Sequence, residues 1–473
     1  MTGFVTPTVH HDSPETHSNF TSTLATLWER VVAVLEAASR QRHIVALRDG
    51  MIGAVPVILV GSTFLLLGVQ GGPMKEYFPT LAATSFGQAY LELAPSILLP
   101  FRYTMGLLSL YVSFTVAAAL AKQYKLPELP NGLTAMATFF VAGDILSGAV
   151  GQPNQTIAVD APVGRYISAQ PLGAEGLFLA IIVGLLTVEV ARHLTFLPKE
   201  GEGSSMAGVP PAVVHAFASF LPMLVCVSIM WAIRHWFGVD IHHFIAEQTL
   251  WLKRLGDTFS AVLGVNILLH LFGVAGVHGI SVINAAMLPI WQQFLVVNAD
   301  AHELGQTLPY ITAYPFYQWF IWIGGAGATL APTIRCLWSK NAHVKKIGKV
   351  SIVPALFNVN EPLLFGLPIV ANPILGIPFV VAPIACGAIA YFATAYGLVG
   401  KAFIEVPWVM TCFFGAVLST QDMKALLLLL ANLTVSYIIW APFMSRYEKS
   451  LAKQAQLAAK GESAAEELKQ EIS

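Results

Sequence analysis

Long stretches without charged side chains are the feature of this sequence that most restricts its fold. Between Thr258 and Ile334 the only acidic or basic residues are Asp300 and Glu303. Over the whole chain 11% of the residues are charged and 55% are hydrophobic, whereas charged residues make up about 25% of a soluble domain. This composition excludes a soluble enzyme and a disordered scaffold. It predicts an all-α polytopic membrane protein, because a helix satisfies its own backbone hydrogen bonds inside the bilayer.

Charge balance and cysteine content exclude further classes of protein. Lysine and arginine number 26 against 27 aspartate and glutamate residues, so there is no net basic field to attract nucleic acid. The four cysteines lie in or beside apolar segments and form no C-x-x-C motif, which argues against a disulfide framework or a zinc site. We therefore expect no cofactor, no bound metal and no nucleic-acid partner.

Apolar segments long enough to cross a bilayer recur along the chain, since about 20 helical residues span the hydrocarbon core. Ten such segments lie near residues 50–70, 98–120, 131–150, 172–192, 211–236, 257–276, 279–298, 310–333, 373–397 and 424–445. Two further apolar segments, 351–372 and 400–422, contain prolines, glycines and short polar steps. Irregular backbone at membrane depth needs protein or a water-filled cavity around it. We therefore predict that these two segments are re-entrant hairpins that line a binding site.

Lysine and arginine in the short loops predict the orientation of the spans. Basic residues precede the first span, follow the last one and fill the loop Arg335–Lys349, which contains no acidic residue. These groups are all cytoplasmic if the chain has ten spans and each hairpin returns to the side of the membrane from which it enters. Arg165 and Arg234 then fall on the outer side. Both termini are expected in the cytoplasm.

The segments divide the chain into five parts. Residues 1–23 are polar and lack the apolar core of a signal peptide, so we expect a disordered N-terminal tail. A five-span half at 24–239 is followed by an amphipathic surface helix at 240–256. The C-terminal half at 257–445 contains both hairpins. Residues 446–473 alternate Ala, Glu, Lys and Gln and predict a cytoplasmic tail that is too short to be an enzyme domain.

Three polar residues in one apolar segment form the strongest candidate site. Asn358, Asn360 and Glu361 fall within the sequence FNVNEPLLFG, beside a proline that frees backbone groups. An ionisable side chain at membrane depth is costly and marks a functional site by default. A carboxylate accepts hydrogen bonds from hydroxyl groups and a carboxamide both donates and accepts, so the segment suits a sugar. The alternative is that Asn360 and Glu361 satisfy the frayed end of a broken helix; we favour the binding role.

His278 and Trp408 are further candidate binding residues. His278 stands between Gly276 and Gly279, and glycines allow the backbone to approach a ligand closely. The imidazole donates or accepts hydrogen bonds; the alternative is a hydrogen-bonded packing residue. Trp408 follows Pro407 in the second hairpin. Its indole either stacks on a sugar ring or anchors the chain at the membrane interface.

Other conspicuous residues favour packing. The run GGAGAT at 324–329 lacks the lysine and the preceding strand of a phosphate-binding loop, so we favour close helix packing by small residues. Asp144, His215 and Glu405 are polar residues in apolar segments or in a hairpin. We assign them to packing or to a transport pathway, without a specific role.

Taken with their order and spacing, these motifs resemble a known family, the membrane-spanning IIC component of the bacterial phosphoenolpyruvate-dependent sugar phosphotransferase system, in its lactose/cellobiose/diacetylchitobiose branch. The most specific match is NVNEPLLFGLPIVANPILGIPFVVAP, from Asn358 to Pro383. Supporting matches are Gln41-Arg42-His43, Arg48-Asp49-Gly50, the G-x-H-G motif at 276–279, GGAGAT at 324–329 and Val406-Pro407-Trp408. The resemblance covers roughly Leu24 to Tyr447.

The resemblance implies a homodimer in which the N-terminal half makes the dimer contact and the C-terminal half holds the sugar. The sugar-binding histidine and glutamate of the family fall on His278 and Glu361, and Asn360 and Trp408 match positions that line the same pocket. The half with the hairpins is expected to move across the membrane like an elevator. A separate phosphocysteine-bearing IIB protein, charged by IIA, then phosphorylates the sugar on the cytoplasmic side.

The sequence departs from the family pattern at two places beside the expected pocket. Val409 to Phe414 replace the usual threonines and prolines after the tryptophan, and His270-Leu271 stand where an aromatic often precedes the glycines. These departures leave the identity of the sugar open.

The expected function is therefore that of a permease for a β-linked disaccharide such as cellobiose or diacetylchitobiose, in the bacterial plasma membrane. Glu361 or His278 assists proton removal from the reacting hydroxyl, because either group acts as a general base within hydrogen-bond reach. Whether the chain counts as an enzyme stays open, since the phosphoryl donor lies on IIB. Two alternatives are an ion-coupled secondary transporter, with Glu361 and Asp144 as coupling carboxylates, and a membrane sensor that binds sugar without transport.

Overall fold

The computed structural model describes residues 41–143, 148–149, 165–166, 170–195, 217–276, 279–369 and 372–472. The predicted tail at 1–23 lies outside these ranges, as do Asp144, His215 and His278.

The described part of the N-terminal half consists of α-helices joined by short turns. The helices are α1 (Arg42–Gly68), α2 (Gly71–Tyr77), α3 (Pro79–Ala82), α4 (Ser85–Ile97), α5 (Leu99–Tyr103), α6 (Leu108–Gln123), α7 (Glu128–Ala142), α8 (Leu177–Leu194) and α9 (Phe220–His235). Short 3-10 turns lie at Met105–Leu107, Gln170–Leu172 and Ala174–Gly176. A minimal antiparallel pair is formed by β1 (Gly148–Ala149) and β2 (Arg165–Tyr166).

The remaining helices are more often interrupted. They are α10 (Ile241–Gly256), α11 (Phe259–Val274), α12 (Gly279–Glu303), α13 (Tyr314–Phe320), α14 (Leu330–Leu337), α15 (Ala342–Leu356), α16 (Glu361–Gly366), α17 (Pro373–Ala395), α18 (Cys412–Thr420) and α19 (Lys424–Ile472). Helix α10 occupies the segment predicted to be the amphipathic linker. The carboxylate of Asp240 begins it by accepting a hydrogen bond from the backbone N–H of His243 at 3.0 Å, as an N-cap residue does.

Several helices of the described chain are long and apolar enough to cross a membrane. Six qualify on length and composition: Arg42–Gly68, Ser85–Gln123, Ala174–Leu194, Gly279–Glu303, Ile374–Ala395 and Lys424–Lys453. Helices α10 and α11 qualify together across a bend of 76° and make a possible seventh. A mainly helical chain with several apolar spans is therefore confirmed, whereas the number ten and the two hairpins stay predictions.

Two predicted spans are wrong in detail. The span predicted at 131–150 ends as a helix at Ala142, and Gly148 and Ala149 belong instead to the strand pair. The chain is thus not purely helical. The span predicted at 310–333 is broken into α13 and α14 by turns at 321–329. Three glycines in this break have φ between +77° and +105°, a range that a right-handed helix does not contain.

Helix α19 satisfies the backbone of that break. Three of its polar side chains recur at every fourth residue, so they lie on one face of the helix. The bonds are Asn432 Nδ2 to the Phe320 carbonyl (2.7 Å), Ser436 Oγ to the Ala328 carbonyl (3.0 Å) and Trp440 Nε1 to the Gly327 carbonyl (3.1 Å). Carbonyl groups freed from a helix inside a membrane need such partners, so α19 allows the chain to leave the helix at this depth.

Helices α1 and α6 pack closely because a glycine faces a backbone. A β-carbon on Gly50 would lie 2.5 Å from Cα of Val116, which is closer than any real contact. Met51, Ile58 and Val112 beside this crossing are completely or almost completely buried. The small residue therefore permits the approach that the neighbouring apolar side chains stabilise.

In the described part of the chain, hydrogen bonds connect the N-terminal and C-terminal parts. Three of them are Arg102 Nε to Glu303 Oε1 (2.5 Å), the backbone N–H of Glu405 to Ser62 Oγ (3.0 Å) and Gln293 Nε2 to the Ala174 carbonyl (2.7 Å). The only charged side-chain pair of the three is Arg102–Glu303.

Candidate functional site

A cavity of about 540 Å³ opens at the broken helices of the C-terminal part. Its wall combines apolar residues of α11, α16 and α17 with the polar side chains of two separate segments. The first segment contributes Asn358, Asn360 and Glu361, and Trp408 joins them from a distant part of the chain. Four of the five sequence-predicted site residues therefore line one cavity.

Asn358 joins three parts of the chain at this cavity. Its Oδ1 accepts a hydrogen bond from the backbone N–H of Gly324 at 3.1 Å. Its Nδ2 donates to the carbonyl oxygens of Trp408 at 3.0 Å and Met410 at 3.3 Å. Its φ is +60°, a left-handed conformation that asparagine adopts more readily than most residues. The side chain is thus engaged with backbone on both sides.

Asn360 is held against the glycine-rich break. Its side chain is 7% exposed, and Nδ2 donates to the carbonyl of Ala326 at 2.8 Å. A β-carbon on Gly325 would lie 2.6 Å from Cγ of Asn360, and the φ of Gly325 is +105°. Glycine is therefore required at residue 325 both for its backbone conformation and for the space that the asparagine occupies.

Glu361 and Trp408 present free polar and aromatic surface. Glu361 is exposed and, within the described ranges, its carboxylate has neither a hydrogen bond nor an ion pair. Trp408 is 56% exposed, and only its backbone carbonyl is engaged, with Asn358 and not through the indole. An unengaged carboxylate and an open indole face suit a ligand that carries both hydroxyl groups and an apolar ring face.

The glycines on either side of the predicted histidine border the cavity. His278 lies outside the described residues, whereas Gly276 and Gly279 line the cavity. Gly276 has a φ of +87°, and a β-carbon on Gly279 would lie 2.0 Å from the carbonyl oxygen of Leu269. Both glycines are therefore needed where the chain passes from α11 to α12.

A third polar wall was missed by the sequence interpretation. Tyr314, Gln318 and Trp322 follow one another at intervals of four residues on α13 and just beyond it, and all three line the cavity. The spacing was a usable signal, because it places side chains on one face of a helix. It was hidden in the aromatic sequence YPFYQWFIW, which has the composition of an ordinary membrane span.

The glycine-rich run was also misinterpreted. GGAGAT at 324–329 was predicted to pack a helix closely, but it forms non-helical turns in which Gly325 and Ala326 border the cavity. The prediction failed because small residues are common both in helix contacts and in turns with positive φ.

Glu405 does not line this cavity; it lies near the wall residue Tyr314, at the boundary with the N-terminal part. Its side chain is 7% exposed and Oε2 has no hydrogen-bond partner among the residues described. The side chain of Gln292 lies beside the carboxyl group, and the backbone N–H donates to Ser62. No cluster of three or more His, Cys, Asp or Glu side chains suited to a metal ion occurs within the described ranges.

Comparisons with known proteins agree on one family. The family model described as "Phosphotransferase system, EIIC" matches residues 48–383. The lichenan permease IIC component of Bacillus subtilis (strain 168) is 31% identical over 441 residues, which cover 90% of this chain and 94% of that protein. The cellobiose-specific EIIC component of Geobacillus stearothermophilus is 31% identical over 443 residues, which cover 91% and 95% respectively.

A solved structure is similar in fold as well as in sequence. It is the crystal structure of the transporter ChbC, the IIC component from the N,N'-diacetylchitobiose-specific phosphotransferase system. The TM-score is 0.81 at 30% identity, and the match covers 91% of this chain and 99% of that chain. The resemblance inferred from the motifs is thereby confirmed. The chain belongs to the EIIC family of the bacterial phosphotransferase system and is a multi-pass membrane protein.

Proposed function

We propose that this chain is a sugar permease that carries a β-linked disaccharide, such as cellobiose or diacetylchitobiose, across the bacterial plasma membrane and presents it for phosphorylation by a separate IIB protein. The observation that carries the proposal is the convergence of Asn358, Asn360, Glu361 and Trp408 on one cavity. Its volume of about 540 Å³ falls within the ~300–1,000 Å³ of small-molecule sites.

The similar proteins support the class of substrate. Their names refer to lichenan, cellobiose and N,N'-diacetylchitobiose. The two named disaccharides share a β-linkage and a flat, extended shape with equatorial hydroxyl groups. Such a ligand offers hydroxyl donors to a carboxylate and an apolar ring face to an indole, which are the groups that Glu361 and Trp408 leave open.

Glu361 and His278 hold the hydroxyl groups of the sugar, including the one that receives the phosphoryl group. The unpaired carboxylate of Glu361 accepts hydrogen bonds from the sugar. When the phosphoryl group is transferred from IIB, a proton must leave that hydroxyl, and a carboxylate or imidazole in hydrogen-bond reach accepts it. Asn358 and Asn360 line the same site. Their side-chain amides hydrogen-bond to the surrounding backbone and so hold in place the segments that carry Glu361 and Trp408.

The predicted domains then have separate tasks. The half at 24–239 forms a homodimer, and the half at 257–445 carries the sugar across the membrane, with 240–256 as the surface linker between them. Both termini lie in the cytoplasm, where IIB, charged by IIA, reaches the sugar. The tails at 1–23 and 446–473 are outside the transport unit.

Uptake by membrane vesicles tests the proposal. Vesicles that contain the chain, supplied inside with IIB, IIA and the upstream phosphoryl donors, should accumulate labelled cellobiose or diacetylchitobiose as the sugar phosphate. Omission of IIB should abolish accumulation, and the same vesicles with Glu361→Gln should accumulate much less.

Each alternative function has its own outcome in that experiment. Unphosphorylated sugar that accumulates without IIB and is lost on addition of an ionophore would identify an ion-coupled secondary transporter. Sugar binding without any uptake would identify a sensor. Either result contradicts the proposed permease.

A further inference from the structure

Gln318 is a buried amide at the sugar cavity whose hydrogen-bonding groups are unused. The residue is 5% exposed and lies on α13, in the wall of the cavity. Neither Nε2 nor Oε1 has a hydrogen-bond partner among the described residues, although both atoms are buried. Buried amides are nearly always paired, because leaving one unpaired costs the full desolvation of the group.

The neighbouring polar residues of the same wall differ from Gln318 in this respect. The indole Nε1 of Trp322 donates to Oδ1 of Asn266 at 3.3 Å, and the hydroxyl of Tyr314 has the side chain of Asn284 beside it. Across the cavity wall, Asn358 and Asn360 use their amides on backbone carbonyls. Gln318 is therefore the carboxamide of this site whose nitrogen and oxygen both lack a hydrogen-bond partner among the described residues.

We propose that Gln318 is a specificity-determining residue that binds two adjacent hydroxyl groups of the transported sugar. Its Oε1 accepts from one hydroxyl and its Nε2 donates to the next, a pairing that a carboxamide can make and a carboxylate cannot. Both atoms are covered in the described conformation, so the proposed binding requires a rotation of the side chain that turns the amide towards the sugar. This inference rests on the proposed function, since it assigns a residue to the same sugar site.

The unpaired amide of Gln318 allows the site to discriminate between sugars, but it lowers the stability of the sugar-free protein. A site built to hydrogen-bond a hydroxyl rejects an analogue that lacks it, because the buried polar group is then left unpaired. Gln318 is unpaired in this way until a sugar with the correct adjacent hydroxyls is bound. A sugar that lacks one of these two hydroxyl groups leaves either Oε1 or Nε2 of Gln318 without a hydrogen-bond partner.

Two apolar variants test the inference in the purified full-length protein. Gln318→Met keeps an unbranched side chain of similar shape, and Gln318→Leu repeats the test with a branched one. Both should raise the melting temperature of the sugar-free protein, because they remove a buried unpaired amide. Both should also weaken binding of cellobiose or diacetylchitobiose, whichever the wild type binds, by roughly tenfold or more, since two neutral hydrogen bonds are lost.

A matched control separates the effect on stability from the effect on binding. Thr394 is 3% exposed, and its hydroxyl likewise has no hydrogen-bond partner in the part of the chain that is described, but it does not line the cavity. Thr394→Val should raise the melting temperature in the same way and leave the sugar affinity unchanged.

Monodeoxy analogues of the sugar connect Gln318 to particular hydroxyl groups. Removal of either of two adjacent hydroxyls should weaken binding to the wild type several-fold, and the same removal should have no effect in Gln318→Met. If the apolar variants bind the parent sugar with wild-type affinity, keep the deoxy penalties, or both fail to fold, the inference is wrong. If the wild type itself binds no disaccharide, the proposed function has failed instead.

Discussion

The side-chain amide of Asn358 donates a hydrogen bond to the carbonyl oxygen of Trp408, with 3.0 Å between Nδ2 and the oxygen. The two residues are fifty positions apart in the sequence and come from the two segments predicted to be hairpins. The same asparagine accepts a hydrogen bond from Gly324. One side chain therefore sets the relative positions of the glycine-rich break, the Asn-Glu-Pro segment and the exposed indole.

Asn358→Ala should lower both stability and sugar affinity. The change removes three hydrogen bonds and puts alanine, which adopts a left-handed conformation less readily than asparagine, at a φ of +60°. We expect the free energy of unfolding to fall by about 2–4 kcal/mol, from the lost hydrogen bonds and the strained φ together. The affinity falls because Trp408 loses its anchor. Thermal unfolding in detergent and titration with disaccharide measure the two effects.

Two further substitutions at residue 358 separate the causes. Asn358→Gly removes the hydrogen bonds but tolerates positive φ, so it should be more stable than Asn358→Ala by about 1 kcal/mol. Asn358→Asp keeps the acceptor for Gly324 and loses only the donor to Trp408 and Met410. A wild-type melting temperature in the alanine variant would show that these bonds do not hold the site.

The sequence was sufficient to find the residues whose chemistry is unusual for a membrane span. Asn358, Asn360 and Glu361 stand out in the sequence because polar groups are costly in an apolar segment, and they line one cavity together with Trp408. Breakers in the same segments correctly predicted irregular backbone there. These predictions depend on the free-energy cost of placing a polar side chain in an apolar segment, and the local sequence alone is enough to recognise that cost.

The remaining wall of the site depends on tertiary contacts that local patterns do not encode. The carbonyl groups of Phe320, Gly327 and Ala328, at and within the break, accept hydrogen bonds from α19, more than a hundred residues away. Without that knowledge a run of small residues looks like part of a helix, and α13 looks like part of a continuous span. The four-residue spacing of Tyr314 and Gln318 becomes distinctive only when the helix is known to be broken beside them.

Gly325→Ala should disrupt the cavity far more than an alanine at another glycine of similar backbone conformation. A β-carbon at residue 325 would meet Cγ of Asn360 at 2.6 Å and displace the amide from Ala326. Gly397 has a φ of +71° with nothing within 4 Å of its β-position. Gly397→Ala should therefore cost only about 1–2 kcal/mol of backbone strain.

The measurement compares unfolding and sugar binding of the two alanine variants. Gly325→Ala should lose at least about 3 kcal/mol of stability, since strain and overpacking add, together with most of its sugar affinity. Gly397→Ala should bind sugar like the wild type. Equal losses in the two variants would mean that the contact with Asn360 is unimportant.

The Arg102–Glu303 ion pair should bias the position of the two halves relative to one another. Its nitrogen and oxygen atoms are 2.5 Å apart and belong to α5 and α12. If the C-terminal half moves during transport, as proposed, this pair must break. A partly exposed pair contributes roughly 0.5–1 kcal/mol, so Glu303→Gln should change the population of the described conformation about two- to fivefold.

Spin labels on exposed residues of the two halves would measure that change as a distance distribution. Leu67 and Leu304 are 49% and 68% exposed, and the four native cysteines are buried, so labels can be attached at Leu67→Cys and Leu304→Cys. Glu247→Gln, which removes a pair within α10, is the control and should leave the distribution unchanged. Reversal of both charges in Arg102→Glu/Glu303→Arg should restore the wild-type populations; a failure of Glu303→Gln to alter them would contradict the role of the pair.

Glu361→Gln should weaken sugar binding without loss of stability. The carboxylate is exposed and, in the part of the chain that is described, it forms no hydrogen bond or ion pair, so the free energy of unfolding should change by less than about 0.5 kcal/mol. A hydrogen bond to a charged group contributes about 1.5–3 kcal/mol, which corresponds to a ten- to hundredfold weaker affinity. The opposite pattern, with a lower melting temperature and unchanged affinity, would assign Glu361 to the end of the broken helix. His278→Ala, assayed in parallel, should weaken binding if the imidazole enters the cavity between Gly276 and Gly279.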